Sequence, residues 1–267
     1  MPEERVTSLD DERLAVFRQL KQRNTVRDAR LFVAEGPTVV ERVLRSDFQT
    51  ECVLISDRKW TSFSRHLAQN TLVLRISNAL AEELIGYSFH AGVMASVRRR
   101  PAPLLSDLVR GTGTAPALIV AGDQICDPEN VGAMIRIAAA FGAAGVVLGP
   151  GSADPFSRRV LRVSMGNVLF LPVCETDNLG TAMLPLCAEH GFAACATVAD
   201  AQAQDLSGFM FPSRTVLMFG NEYSGLSAEI IRAAQHQLTI PMRNGTDSLN
   251  VAVSVGIFAW QYRQQWC

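Results

Sequence analysis

The stretch IPMRNGTDSLNVAVS, residues 240–254, decides the fold of the C-terminal half of this 267-residue chain. An apolar strand end passes into a polar loop, and the loop passes into a long apolar helix that we predict to run to about Gln261. Ser248 and Asn250 bring a hydroxyl and an amide to the start of this helix, where backbone N–H groups lack partners within the helix. Both side chains suit helix capping, and capping leaves them able to bind a ligand.

An acid follows a glycine in a second stretch, VLMFGNEYSGLS at residues 216–227. An apolar strand ends at Gly220, and Glu222 comes two residues later, before Gly225. Glycines allow the close approach of a ligand or of another backbone, and ligands usually bind at the carboxyl ends of strands in open parallel sheets. A plain strand-to-helix turn capped by a serine has the same pattern, so this stretch alone leaves both interpretations open.

A third stretch, DPENVGAMIRIAAAFG at residues 127–142, leaves a strand and enters a helix. Asn130 lies at the mouth of the loop and Arg136 lies in the second helical turn, so the two side chains are not stacked on one helical face. Arg136 is a charge within the otherwise apolar run 131–141. It either faces solvent without a role or takes part in chemistry, and the pattern by itself permits both.

Apolar strands and helical segments alternate around these stretches. Such alternation predicts an α/β fold, with a mostly parallel sheet that is covered by helices on both faces. We place the strands of the C-terminal half at residues 117–121, 145–148, 192–197, 215–219 and 237–240.

Prolines, glycines and arginines interrupt the alternation between residues 98 and 116, as RRRPAP and then RGTGTAP. We therefore predict a linker at 101–116, which separates a smaller N-terminal α/β domain at 1–100 from a larger domain at 117–267. In the smaller domain we predict an opening amphipathic helix from about Leu9 to Lys21 with Ser8 as its N-cap. We also predict a helix that begins at Pro37 and another that Ser77 caps. Its predicted strands are residues 31–34, 51–56 and 71–76.

The composition is that of a globular protein, since 48% of the residues are hydrophobic and 19% are charged. No apolar run is long enough to cross a membrane, and the opening MPEERVTSLDDERL is too acidic for a signal peptide. We therefore expect a cytoplasmic protein with no membrane partner. The six cysteines form no CxxC pair and the four histidines show no ligand spacing, so we expect no metal.

In this order and spacing, the three stretches resemble the SpoU (TrmH-like) family of RNA ribose 2′-O-methyltransferases, which belongs to the knotted SPOUT superfamily. Ile137 stands where many members have threonine, which leaves the polar motif residues untouched. The positions that carry the resemblance are Asn130, Gly132 and Arg136, then Gly220, Glu222 and Gly225, then IPM at 240–242 and SLNV at 248–251.

The resemblance implies a trefoil knot in the C-terminal domain and S-adenosylmethionine as the cofactor. It also implies a homodimer through that domain, with catalytic groups approaching from both subunits. Knots are rare among protein folds, so this expectation is specific to the family. The cofactor contacts that it implies are Thr197, Gly220, Ile240, Met242 and Leu249.

The resemblance also implies a catalytic set. Methyl transfer to a ribose 2′-hydroxyl needs no metal, and the protein must align the groups and manage a poorly acidic hydroxyl. A guanidinium is essentially always protonated, so we interpret Arg136 as a fork that binds a phosphate and stabilises the developing alkoxide, rather than as a general base. The other members of the set, which would orient Arg136 and the ribose, are Asn130, Glu222, Ser248 and Asn250.

The N-terminal region resembles, more loosely, a small ribosomal-protein-like RNA-binding domain, through FVAEGPTVVE at residues 32–41. The residues up to Arg110 include 17 basic and 14 acidic side chains, a net charge of +3, and the remaining residues include 8 and 12, a net charge of −4. This part of the chain is therefore the better candidate for RNA binding. Arg23, Arg27 and Arg30 either contact phosphates or form a solvated basic loop.

Family members with such a domain mostly modify ribosomal RNA, so we expect methylation of a ribose 2′-hydroxyl in large-subunit ribosomal RNA. Transfer RNA is an alternative substrate, and a non-catalytic RNA-binding ribosome-assembly factor is an alternative function. Gly149-Pro150-Gly151 beside a parallel sheet also suggests a nucleotide-dependent enzyme, but the stretch lacks the third glycine and the helix entry of a dinucleotide-binding loop.

Overall fold

The computed structural model of the chain describes residues 3–18 and 30–266, which form two compact units. The first unit comprises the chain up to Pro101 together with Phe156–Phe170. The second unit comprises Ala102–Pro155 and the chain from Leu171 onward. The segment Phe156–Phe170 thus belongs to the first unit although the residues on both sides of it in the chain belong to the second.

Five strands form a mixed sheet in the first unit. They are β1 (Glu3–Val6), β2 (Leu31–Glu35), β3 (Thr50–Ser56), β4 (Val73–Ile76) and β5 (Val93–Arg98). Their order is β1-β4-β3-β5-β2, in which β5 is antiparallel to both of its neighbours and the other pairs are parallel. The helices of this unit are α1 (Ala15–Arg18), α2 (Pro37–Arg45), α3 (Asp57–Phe63), α4 (Asn78–Ile85) and α7 (Arg158–Val163), with 3-10 turns at Glu12–Leu14, Ser64–His66 and Asn167–Leu169.

The predicted start of the first helix is wrong: Asp11 rather than Ser8 is the cap, since its Oδ1 atom accepts from the backbone N–H of Arg13 at 3.0 Å. The end predicted at Lys21 lies outside the described residues.

Two other predicted helix starts in this unit are confirmed. Pro37 occupies the first turn of α2, directly after Gly36, whose φ of 97° suits glycine. The Oγ atom of Ser77 accepts a hydrogen bond from the backbone N–H of Leu80 at 3.2 Å and caps α4. The predicted strands appear as β2, β3 and β4, whereas β1 and β5 were not predicted.

Seven strands form the sheet of the second unit. They are β6 (Ala117–Gly122), β7 (Gly145–Leu148), β8 (Val173–Glu175), β9 (Ala193–Thr197), β10 (Gln204–Asp205), β11 (Arg214–Phe219) and β12 (His236–Thr239). Their order is β10-β12-β9-β11-β6-β7-β8, and each of these neighbouring pairs is parallel. The predicted mostly parallel sheet is therefore confirmed, and the predicted trefoil knot stays a prediction.

Helices cover both faces of this sheet, as predicted. Ile119 of β6 faces a core that includes Leu108, Met183 and Ile230 from helices on one side. On the other side, the ring of Phe219 packs against that of Phe258, with centroids 5.7 Å apart. The helices of the second unit are α5 (Leu105–Gly111), α6 (Pro128–Ala140), α8 (Leu179–His190), α9 (Ala228–Ala233) and α10 (Val251–Trp266), with a 3-10 turn at Leu206–Gly208.

The stretch 101–116, which the sequence analysis interprets as a linker, contains α5. Leu108 and Val109 of this helix are buried in the core of the second unit. The division into domains at 1–100 and 117–267 stays a prediction. Across residues 3–18 and 30–266, no helix is both long and apolar enough to cross a membrane.

Candidate active site

A cavity of about 880 Å³ lies at the carboxyl ends of β9, β11 and β12. β12, β9 and β11 are neighbours in the sheet, so their carboxyl ends meet at one edge. The residues that the sequence analysis assigns to the cofactor all line this cavity: Thr197, Gly220, Ile240, Met242 and Leu249. The ends of three neighbouring strands thus bring the predicted cofactor contacts to one place.

The cavity wall has no room for a side chain at Gly220. A Cβ atom on this residue would lie 2.1 Å from the carbonyl carbon of Gly225 and 2.1 Å from the backbone nitrogen of Leu226. Backbone atoms cannot move aside as a flexible side chain does, so any side chain at this position would open the turn. Gly225 has a φ of 67°, which L side chains rarely adopt. The packing of the turn therefore requires both glycines.

Asn221 holds the same turn, and the sequence analysis missed it. Its Oδ1 atom accepts hydrogen bonds from the backbone N–H groups of Tyr223 at 2.9 Å and Ser224 at 3.2 Å. Its Nδ2 atom donates to the carbonyl of Gln124 at 2.9 Å, which ties the turn to the loop after β6. The preference of asparagine for such side-chain-bonded turns is a signal that could have found it.

Glu222, Asn130 and Asn250 form a chain of hydrogen bonds across the three motif stretches. Nδ2 of Asn130 donates to Oε1 of Glu222, and Oδ1 of Asn130 accepts from Nδ2 of Asn250 at 2.9 Å. Oδ1 of Asn250 accepts in turn from the backbone N–H of Ala252 at 2.8 Å, in the first turn of α10. Asn130 is buried, and both ends of its amide are satisfied. The structure thus joins three of the predicted catalytic residues directly.

The helices α6 and α10 lie side by side and run in the same direction. Beyond the amide bond between their first turns, a Cβ atom on Gly256 would lie 4.0 Å from Cδ1 of Ile137. Further along both helices, the ring centroids of Phe141 and Trp260 are 6.0 Å apart. Both helix N-termini therefore lie at the Glu222 cluster, where their partial positive charge stabilises a carboxylate.

Ser248 joins this group and Arg136 does not. Ser248 lines the cavity and is exposed. Arg136 is exposed on α6 and is not among the residues that line the cavity. Its side chain makes no hydrogen bond or ion pair within residues 3–18 and 30–266. One chain therefore brings together four of the five predicted catalytic residues.

Asp123 is a buried acid at the carboxyl end of β6 that the sequence analysis missed. It is 6% exposed, and burial raises the pKa of its carboxyl group. A Cβ atom on Gly149 would lie 2.3 Å from its Oδ1 atom, so the glycine leaves room for the carboxyl group. The first glycine of Gly149-Pro150-Gly151 therefore has a packing role, which removes the main reason to interpret this stretch as a nucleotide-binding loop.

Of the three arginines predicted to contact RNA, Arg23 and Arg27 lie outside the described residues. Arg30 is exposed, has a φ of 52°, and accepts a backbone hydrogen bond from Arg99 at 2.7 Å. Their role in RNA binding stays a prediction.

We expect Asn130→Asp to make the free energy of unfolding depend on pH more steeply than in the wild type. Aspartate keeps the size of asparagine but brings a second carboxylate against Glu222, and a neighbouring like charge raises the pKa of a carboxyl group. A group whose pKa rises on folding contributes stability below its unfolded pKa and loses it as pH rises through the folded value. The variant should therefore lose stability, relative to wild type, as pH rises from about 4 to about 8.

Asn130→Ala is the control, because it removes both hydrogen bonds without adding charge. It should lower the free energy of unfolding by about 1–3 kcal/mol with no added dependence on pH. Chemical denaturation at several pH values measures both variants. Identical pH profiles for the two would contradict the close contact between residue 130 and Glu222.

Comparison with known proteins is consistent with this geometry. The sequence profile of the SpoU rRNA Methylase family matches residues 117–260, and that of an MRM3-like substrate binding domain matches residues 12–95. An uncharacterized tRNA/rRNA methyltransferase of Mycobacterium tuberculosis is 34% identical over 256 residues, which cover 93% of this chain and 87% of the relative. The 23S rRNA (guanosine-2′-O-)-methyltransferase RlmB of Acinetobacter baylyi is 29% identical over 194 residues, which cover 72% of this chain and 78% of that protein.

A solved structure has a similar fold. The crystal structure of an rRNA methyltransferase from Sinorhizobium meliloti, bound to S-adenosylmethionine, is similar with a TM-score of 0.85. The two sequences are 27% identical, and the match covers 99% of each chain. Since the family profile spans more than half of the chain and includes all three motif stretches, the chain belongs to the SpoU rRNA methylase family, with S-adenosylmethionine as its cofactor.

Proposed function

We propose that this protein transfers the methyl group of S-adenosylmethionine to a ribose 2′-hydroxyl of large-subunit ribosomal RNA. The observation that carries the proposal is the convergence of the three motif stretches on one cavity, with Glu222 and Asn250 in its wall and Asn130 joining them. The activity named for the Acinetobacter relative, 2′-O-methylation of guanosine in 23S rRNA, supports this acceptor. Transfer RNA is the second candidate, because the mycobacterial relative is named for both RNA classes.

The cavity fits the cofactor in size and chemistry. Its volume of about 880 Å³ falls within the roughly 300–1,000 Å³ that small-molecule pockets span. Phe219, Ile240 and Leu249 supply apolar wall, and the backbone at Gly220 supplies polar groups. The hydroxyl of Thr197 donates to the carbonyl of Met218 at 2.9 Å and can still accept a hydrogen bond. When bound, S-adenosylmethionine supplies an electrophilic methyl group on a sulfonium.

The residues of this chain position the acceptor ribose. Asn130 holds one carboxylate oxygen of Glu222, which leaves the second oxygen to accept a hydrogen bond from the ribose hydroxyl. Ser248 presents its own hydroxyl to the same cavity. As the acceptor oxygen attacks, its proton leaves toward Glu222 or solvent, and the guanidinium of Arg136 stabilises the negative charge on the oxygen.

A homodimer completes this set of residues. Val253, Ile257 and Trp260 are 51%, 37% and 52% exposed, and their spacing places them on one face of α10. An apolar face of this kind suits a contact with a second copy, and a twofold axis would bury the same face on both copies. Because α6 packs along α10, α6 would lie beside this contact. We propose that Arg136 reaches the cavity of the partner from there.

The first unit supplies the RNA contacts. The guanidinium of Arg99 lies 4.9 Å from the ring centroid of Phe156, and that of Arg100 lies 4.8 Å from that of Phe48. Stacking on a ring holds a guanidinium in one orientation, which suits the recognition of phosphates. Arg30 lies beside Arg99 through their backbone hydrogen bond, so these arginines support the predicted RNA contact of the N-terminal region.

Transfer of a labelled methyl group to separated, unmodified ribosomal and transfer RNAs tests the proposed function. We expect label in the large-subunit ribosomal RNA, on a ribose 2′-oxygen that nucleotide mapping identifies. Label in transfer RNA alone would favour the second candidate. Cofactor binding by calorimetry without transfer to any RNA would contradict both and favour a ribosome-assembly factor.

We expect Arg136→Ala to lower kcat by about 10²–10³-fold, because a stabiliser of developing charge acts only as the bond forms. Its free energy of unfolding and its dissociation constant for S-adenosylmethionine should match the wild type, since Arg136 lies outside the cavity wall. Single-turnover methylation, denaturation and calorimetry measure the three quantities. A folded, cofactor-binding variant that methylates at the wild-type rate would exclude this role.

Mixed dimers test whether Arg136 acts across the subunit interface. In a mixture of Arg136→Ala and Glu222→Gln chains, each mixed dimer contains one cavity with an intact Glu222 and an intact Arg136 from the partner. We expect the reassociated mixture to regain about a quarter of the wild-type activity, since half of the dimers are mixed and each has one complete site. Each variant alone serves as the control. A mixture as inactive as its two components would show that Arg136 acts within its own chain.

A further inference from the structure

Tyr223 takes part in none of the contacts of the Glu222 cluster, and its side chain is almost fully exposed. It is 99% exposed, more than any other large hydrophobic side chain in the part of the chain that the structure describes. It is nevertheless part of the cavity wall, in the turn between Gly220 and Gly225 and directly after Glu222. A large aromatic side chain at the mouth of the cavity thus packs against almost nothing in the described part of the chain.

The backbone beneath Tyr223 is fixed. The N–H of Tyr223 donates to Oδ1 of Asn221, and the N–H of Gly225 donates to the carbonyl of Asn221 at 2.8 Å. Asn221 is itself bonded to Gln124. Within residues 3–18 and 30–266 the Tyr223 ring makes no aromatic or cation–π contact and its hydroxyl no hydrogen bond. The turn therefore presents the ring from a rigid base, and little backbone entropy would be lost when it meets a ligand.

We propose that Tyr223 stacks on the nucleobase of a nucleotide that flanks the methylated ribose. The inference rests on the proposed function, which places the acceptor ribose at Glu222, the residue next to Tyr223. Sequence-specific contacts to RNA are made mostly with unpaired bases, which stack on aromatic side chains. A ring at the mouth of the cavity is positioned for the base that stays outside when the target ribose enters.

Two other occupants fit this ring less well. A bound cofactor is mostly enclosed by its pocket, so the wall residues that hold it are not expected to be almost fully exposed. A second copy of the chain has a better surface in the apolar face of α10, at Val253, Ile257 and Trp260. An unpaired base needs only one open aromatic face, and Tyr223 offers that.

Substitutions at Tyr223 distinguish stacking by an aromatic ring from the effect of side-chain size. Base–aromatic stacking predicts that Tyr223→Ala and Tyr223→Leu raise KM for an unmodified transcript of 23S ribosomal RNA by about 5- to 150-fold, whereas Tyr223→Phe stays within about twofold of wild type. The dissociation constant for S-adenosylmethionine and the dimer mass should not change. Met210→Ala is the matched control, because Met210 is 72% exposed and does not line the cavity. A Tyr223→Leu protein with the wild-type KM would overturn the proposal, and so would an equal rise in the dissociation constant for the cofactor.

A transcript that lacks one base identifies the stacked nucleotide. Once the methylated ribose is mapped, abasic nucleotides are placed in turn on its 5′ and 3′ sides. At one of the two positions, loss of the base should raise KM for the wild type but add nothing to Tyr223→Ala. Additive effects at both positions would overturn the proposal. Failure of the wild type to methylate any RNA would instead contradict the proposed function, so the two failures are distinguishable.

Discussion

The side-chain amide of Asn130 joins the three segments from which the site is built. It donates to Glu222, 92 residues further along the chain, and accepts from Asn250, 120 residues further along. A neutral amide donates and accepts at once without adding charge, which neither a carboxylate nor an ammonium group does. Because Asn130 is buried, loss of either partner would leave a polar group unsatisfied, at a cost of about 1–3 kcal/mol. Two residues of the cavity wall, Glu222 and Asn250, are thus joined through this one group.

The hydrogen bonds of Asn130 also place the carboxylate of Glu222 relative to the helices. With the first turns of α6 and α10 joined at Asn130, the carboxylate of Glu222 lies near two helix N-termini. Arg136 is six residues further along α6, about 9 Å up the helix axis, and it points to solvent. An arginine held within its own cluster would pair with Glu222 and compete with the acceptor ribose for that carboxylate. On the proposed dimer, each group stays available to the RNA because the two reach one cavity from different chains.

The strands, helix starts and caps that depend on neighbouring residues could be predicted from the sequence. The strands β7 and β11, the first turn of α2 at Pro37 and the cap at Ser77 follow from apolar runs and short-range hydrogen bonds. The sequence does not predict contacts that only the folded sheet creates. Asp123 is one of these, since its environment depends on a glycine 26 residues away, and the two-residue strand β10 has too little pattern to detect. The grouping of Phe156–Phe170 with the first unit is another, because nothing in that segment marks it as separate from its neighbours.

In the turn after β11, some residues are required by the fold and one is not. Gly220 and Gly225 are fixed by steric exclusion and by backbone conformation, and Asn221 by its hydrogen bonds. Tyr223 meets none of these constraints, since it buries almost nothing. A change of its side chain should therefore leave the turn, the cavity and the position of Glu222 intact. An effect of such a change on methylation would therefore arise from what the ring contacts outside the protein, which in our proposal is a base of the RNA.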